Sequence, residues 1–172
     1  MRKINEKSCC FTGHRALSSG EVENIEKELD SSISSLIKKG YFRFLAGGAL
    51  GFDTLAALMV LKKKKEHPEI KLELILPCFT QAKKWEEKDI KLYEEIKQQA
   101  DKVIYVSKEY TKGCMFKRNR RLVEESSVCI CYLTTNKGGT FYTVSYALKR
   151  GIKIVNLSND ISAEKSHTPK VI

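Results

Sequence analysis

The side chains best suited to gripping an anion fall into four short stretches of this 172-residue chain. Thr12, Gly13, His14 and Arg15 follow the apolar run "SCCF". Gly47, Gly48 and Gly51 sit in "AGGALGFD", with Asp53 just past the turn. Arg118, Asn119 and Arg120 belong to "GCMFKRNRR", and Gly138, Gly139 and Thr140 to "TTNKGGT". Glycine lets backbone approach a ligand closely or adopt positive φ. A helix opening after such a turn offers free N–H groups and a partial positive charge, which suits phosphate. Arg15, Lys117, Arg118 and Arg120 add charge-assisted bonds from neighbouring loops. Phe79, Trp85 and Tyr142 are rings that could stack on a base.

Each stretch alone also has a plain structural explanation. Gly-Gly before a helix is also a tight turn, and a lone histidine is more often a hydrogen-bonded structural residue than a catalytic one. Asp53 can cap its helix or favour its dipole. The arginines can form a solvated face, and Trp85 can anchor a core. What favours a binding site is the convergence of the four stretches.

Convergence requires a scaffold, and the order of elements supplies one. Apolar runs at "SCCFTG", "YFRFLA", "KLELILP", "KVIYVS", "SVCICYL" and "IKIVNLS" alternate with helical patterns. Ser18 and Glu21 form a capping-box pattern, followed by Val22, Ile25, Leu29, Ile33 and Leu36 at helical spacing, with Gly40 as a stop. Further helices are expected from about Phe52 to Glu66, Gln81 to Ala100 and Lys112 to Glu125, and after Gly138-Gly139. Strands separated by helices imply right-handed crossovers and a mostly parallel sheet covered on both faces. The expected fold is a Rossmann-like three-layer α/β domain of about six strands over residues 1–158. A polar tail over 159–172 is expected to be partly disordered. Ligands of such sheets bind beyond the carboxyl ends of the strands, where strand order reverses. All four stretches follow strands or open helices there.

Composition narrows the class. The chain is 42% hydrophobic and long enough to bury a core. The N-terminus "MRKINEKSCCF" lacks an apolar signal-peptide core, and no apolar run approaches a membrane span. A soluble, cytoplasmic protein without membrane contact is expected. The six cysteines show no C-x-x-C, so buried small hydrophobes are expected rather than a metal or disulfide framework, with Cys114 alone in a loop-like setting. The net charge of +10 suits an anionic partner, although the lysines are scattered over helix faces.

Two common nucleotide signatures are absent. There is no G-x-x-x-x-G-K-[ST], and Ala46 occupies the first glycine position of a dinucleotide fingerprint. No acidic residue ends strand three to meet a ribose, so a nicotinamide-dependent dehydrogenase is a poor fit.

Taken together, "TGHR", "GGALGFD", "RNR" and "GGT" resemble the YpsA-like branch of the SLOG superfamily, over about residues 8 to 158. That superfamily joins the Rossmann domain of DNA-processing protein A to the LOG cytokinin-activating enzymes. The resemblance implies a domain that binds a nucleotide or nucleotide-derived ligand, needs no cofactor and is frequently a homodimer. It assigns ligand contacts to Thr12, Gly13, His14, Arg15, both glycine turns with Asp53 and Thr140, and Arg118, Asn119 and Arg120. LOG enzymes are similar in cleaving nucleoside monophosphates, with a motif resembling P-G-G-x-G-T-x-E-E. Here "NKGGTFYTVSYA" places Phe141, Tyr142 and Thr143 where the acids would stand. Cleavage of an N-glycosidic bond builds positive charge on the sugar, and the missing carboxylate was its stabiliser. A binding or sensor domain is therefore expected before an enzyme. The alternatives are a LOG-like hydrolase using Asp53, and single-stranded DNA binding similar to that of DNA-processing protein A.

Overall fold

The computed structural model describes residues 5–158; the expected C-terminal tail, 159–172, lies outside them. Six strands alternate with helices: β1 (Ser8–Gly13), α1 (Ser19–Lys38), β2 (Arg43–Ala46), α2 (Phe52–Lys64), β3 (Lys71–Leu76), α3 (Glu87–Gln99), β4 (Lys102–Tyr105), α4 (Cys114–Glu124), β5 (Val128–Tyr132), α5 (Gly139–Lys149) and β6 (Lys153–Asn156). The strands form one sheet in the order β4-β3-β2-β1-β5-β6, and every pairing is parallel. This is the three-layer Rossmann-like architecture expected from the sequence.

Side-chain alternation along the strands builds two separate cores. Cys9 and Phe11 point toward α1, α2 and α3, where Ile25, Leu29, Phe52, Val60 and Ile96 complete one apolar layer. Cys10 points to the opposite face, against Leu122, Val123, Val144 and Ala147 of α4 and α5. All six cysteines are free and buried. The local cap of α1 forms as its sequence requires. Ser18 Oγ accepts from the Glu21 amide at 3.3 Å, and Glu21 Oε2 accepts from the Ser18 amide at 2.7 Å.

Two boundaries differ from expectation. The helix expected from Gln81 begins only at Glu87, after a run of turns. Gln81 explains the delay: its side-chain amide donates to the Gly48 carbonyl and to the Tyr93 hydroxyl, both at 3.3 Å, pinning the segment outside helical geometry. Cys114 is not a loop residue. It opens α4 and is buried, packed as a small apolar side chain.

The strand order fixes where a ligand can enter. From β1 the chain steps outward through β2, β3 and β4, then returns to place β5 on the other side of β1. Connections leaving β1 and β5 therefore diverge to opposite faces. Their separation opens a crevice at the carboxyl ends of these two strands.

Candidate functional site

A cavity of about 310 Å³ occupies that crevice. One wall is the loop Thr12–Arg15 after β1, and the facing wall is Lys137–Thr140 at the opening of α5. Asp53, Arg118 and Asn119 close the third side. Residues from stretches more than a hundred positions apart thus meet around one space.

The two glycine turns contribute differently. At the first, the space beside each glycine is taken by protein. A Cβ on Gly47 would lie 2.7 Å from Arg118 Nη1, and one on Gly48 would lie 2.5 Å from Leu76 Cδ2. Gly51, at φ +77°, has the Arg15 carbonyl oxygen where its own Cβ would have to stand. The Phe52 amide donates to the His14 carbonyl at 3.1 Å, and the Ala49 amide to Asp53 Oδ2 at 3.1 Å. These glycines let the first two loops and the arginine of α4 pack tightly together.

The second turn is open. At Gly138 (φ +94°) and Gly139 an added Cβ would meet nothing within 4 Å, and both residues are exposed. The first turn of α5 carries no acidic residue, and no side chain caps it. A helix start of this kind presents its amides and its positive dipole end to the cavity. Thr12 and Thr140, both buried, supply hydroxyl groups beside it.

Arg118 and Asp53 form the electrostatic base of the site. Arg118 is only 5% exposed; its Nη1 donates to the Gly47 carbonyl, and its Nε donates to Asn119 Oδ1 at 2.7 Å. Burial lowers its pKa, partly opposed by the Asp53 carboxylate. Asp53 is 6% exposed, and burial raises its pKa to about 6, against the pull of Arg118, the Ala49 amide and Arg15. Arg15 itself is exposed at the cavity mouth.

His14 fastens the two sides of the crevice. Its Nε2 accepts from the Thr134 amide at 3.0 Å and lies 3.1 Å from the Thr134 hydroxyl, so the ring proton belongs on Nδ1. Burial lowers the pKa of this ring, while Glu21 acts in the opposite sense. Its edge also meets the Tyr132 ring, with centroids 6.2 Å apart.

Several residues singled out in the sequence lie elsewhere, Lys117 and Tyr142 among them. Phe79 is 58% exposed and packs edge-on against Tyr105, away from the crevice. Arg120 faces α5, donating to the Tyr142 hydroxyl at 3.1 Å. Trp85 packs edge-on against Tyr93 and lines a separate cavity beside α2 and α3. Sequence reasoning passed over Lys137 and Ala49, which line the crevice, and Gln81 and Thr134, which brace its loops. Lys137 adjoins the second glycine turn and was legible there. Ala49 and Thr134 lie inside the quoted stretches but have no side chain that marks the role, and Gln81 lies in no motif.

A parallel sheet with one reversal and a polar cavity at its strand ends defines a Rossmann-like domain. The chain belongs to the YspA SLOG family, whose model matches residues 9–157. Among its relatives, a UPF0398 protein of Halalkalibacterium halodurans is 33% identical over 132 residues, covering 75% of this chain and 70% of that protein. The SPbeta prophage-derived protein YoqJ of Bacillus subtilis is 30% identical over 138 residues, covering 73% and 81%. Among solved structures, DNA processing protein A of Streptococcus pneumoniae superposes with a TM-score of 0.70 at 16% identity, covering 98% of this chain and 59% of that one. The Helicobacter pylori protein of the same name, described by its single-stranded DNA binding mode, gives 0.68 at 17% identity, covering 99% and 78%. These two share the fold. Among the described residues no helix is long and apolar enough to cross a membrane.

Proposed function

We propose that this domain binds a nucleotide or nucleotide-derived ligand at the sheet reversal, as a sensor or signalling module rather than a robust catalyst. The observation that carries the reading is the uncapped, acid-free start of α5 facing the cavity, with Arg15 and Lys137 at its mouth. Phosphate suits this arrangement because free amides, a dipole end and two cations converge on one space. The reading requires no metal or prosthetic group. Free, buried cysteines fit a reducing compartment, the cytoplasm. The homodimer implied by the superfamily resemblance is tested by sedimentation of the purified chain.

A thermal-shift panel of nucleoside mono-, di- and triphosphates, cyclic nucleotides, NAD and ADP-ribose tests the reading, with Gly139→Asp as the blocked control. A ligand at 100 times its dissociation constant adds about 2.7 kcal/mol, or roughly 5–10 °C for a chain of this size. A shift lost in the control supports the reading, and a flat panel overturns it. Free base released from a nucleoside monophosphate, and abolished by Asp53→Asn, would instead favour the hydrolase. Single-stranded DNA binding is the second reading, favoured by the net charge of +10 and the fold shared with DNA processing protein A. Retention of an oligonucleotide that weakens steeply with salt supports it.

A further inference from the structure

The crevice has a neighbour of different chemistry. A second cavity, of about 250 Å³, lies over the opening turn of α2, between the loop after β1 and α3. Leu17, Leu50, Leu55 and Leu92 line it, together with the rings of Trp85 and Tyr93. Where the crevice offers amides, hydroxyls and cations, this space offers apolar surface and aromatic edges. Arg15 and Asp53 belong to the walls of both. The exposed guanidinium of Arg15 makes no side-chain hydrogen bond or ion pair among the described residues, so it stands at the join uncommitted.

We propose that the two cavities are subsites of a single ligand: its phosphate lies over the start of α5, and its aromatic ring lies between α2 and α3 beside Trp85. This rests on the phosphate-binding reading above and extends it to the class of ligand. Burying a flat base in an apolar space gains affinity that a sugar phosphate gains much less of, because the sugar has far less apolar surface to desolvate. Arg15 bridges the two parts, reaching either the phosphate or the sugar between. The cavity also holds a half-buried carboxylate, Asp89, in the first turn of α3. A carboxylate accepts hydrogen bonds and donates none. It therefore favours a ring that presents an amino group, and most of all guanine, whose amino and ring N–H donors lie side by side, over uracil with its single ring N–H. The ligand class is a nucleotide carrying an amino-substituted base.

Calorimetric titration of the full chain with ribose 5-phosphate, GMP, AMP and UMP tests this. GMP is expected to bind at least about tenfold more tightly than ribose 5-phosphate, the margin that one stacked, buried base typically supplies. Leu55→Trp fills the apolar cavity and should bring GMP down to the ribose 5-phosphate level while leaving ribose 5-phosphate unchanged. Leu92→Trp, on α3, repeats the test if the first variant does not fold. Asp89→Asn should narrow the preference for GMP over UMP. If ribose 5-phosphate binds and the mononucleotides bind no tighter, or if the excess survives both fillings, the two-subsite proposal is overturned and the phosphate reading stands. If neither ribose 5-phosphate nor any mononucleotide binds, both readings fall together.

Discussion

The guanidinium of Arg118 stands where a side chain on Gly47 would have to be, and it donates Nη1 to the carbonyl of that same residue. An arginine and a glycine 71 positions apart are thereby parts of one joint between α4 and the end of β2. The charge of Arg118 still reaches the cavity, but its position is set by the protein.

Gly47→Ala tests the joint. The added methyl would fall 2.7 Å from Nη1 and 3.0 Å from both Cζ of Arg118 and Oδ2 of Asp53. Overpacking of this kind costs about 1–3 kcal/mol, and displacing the arginine also frees a buried carbonyl. Urea unfolding should show a loss at the upper end of that range. A variant as stable as the parent would mean that Arg118 has another resting place.

The Asp53 carboxyl gives the fold a pH dependence of definite sign. Its folded pKa of about 6 lies above the usual 3.8, so between those values the native state holds a proton that the unfolded chain has released. Stability is therefore greatest below pH 4 from this group and declines as pH rises through 6. The full displacement corresponds to roughly 3 kcal/mol. Asp53→Asn, which keeps an oxygen for the Ala49 amide, should flatten this decline in urea titrations between pH 4 and pH 7. Parallel pH profiles for the two proteins would rule the explanation out.

For His14 the sign reverses. Burial holds its pKa below the usual 6.5, so its contribution is present at neutral pH and is lost as pH falls through the folded value. Protonation of Nε2 also removes the acceptor for the Thr134 amide. Two-dimensional NMR of the imidazole should show an Nδ1–H tautomer at pH 7 and a depressed midpoint, with the Thr134 amide shifting in step. A midpoint above 6.5 contradicts this account.

Gly48→Asp and Gly139→Asp should behave oppositely, although each adds the same side chain to a glycine turn. At Gly48 the residue must hold φ +72° and meet Leu76, so the first variant should be severely destabilised. At Gly139 there is open space, and an acid in the first turn of a helix adds about 0.3–1 kcal/mol. The second variant should melt at or above the parent temperature and fail to bind phosphate. If it still binds, the anion sits elsewhere.

Local signals carried the sequence reading furthest. Ser18 and Glu21 declare their cap within four residues, and Ile25, Leu29 and Ile33 declare a buried face within three turns. The strand alternation followed because each run had its own turn residues. The site was legible as a set of loops but not as a geometry. Nothing near Gly47 announces Arg118, and nothing near His14 announces Thr134, since those contacts exist only after the sheet is assembled. The late start of α3 is of the same kind. The stretch from Gln81 to Trp85 has ordinary helical residues, and a side-chain bond back to Gly48 holds it out of the helix.

The neighbouring positions of β1 and β5 also order the events by which the molecule is made. As the chain leaves the ribosome, β1 to β4 can pair outward with α1, α2 and α3 docked upon them, since each strand finds its partner in what precedes it. β1 meanwhile keeps an unpaired edge until residues 128–132 arrive, more than a hundred residues after it was made. Such late, non-local pairings are slow to form and leave a strand edge open to wrong partners. The cavity straddles that very seam, so its two walls are synthesised more than a hundred residues apart. Only a chain completed into α5 possesses both walls of the cavity.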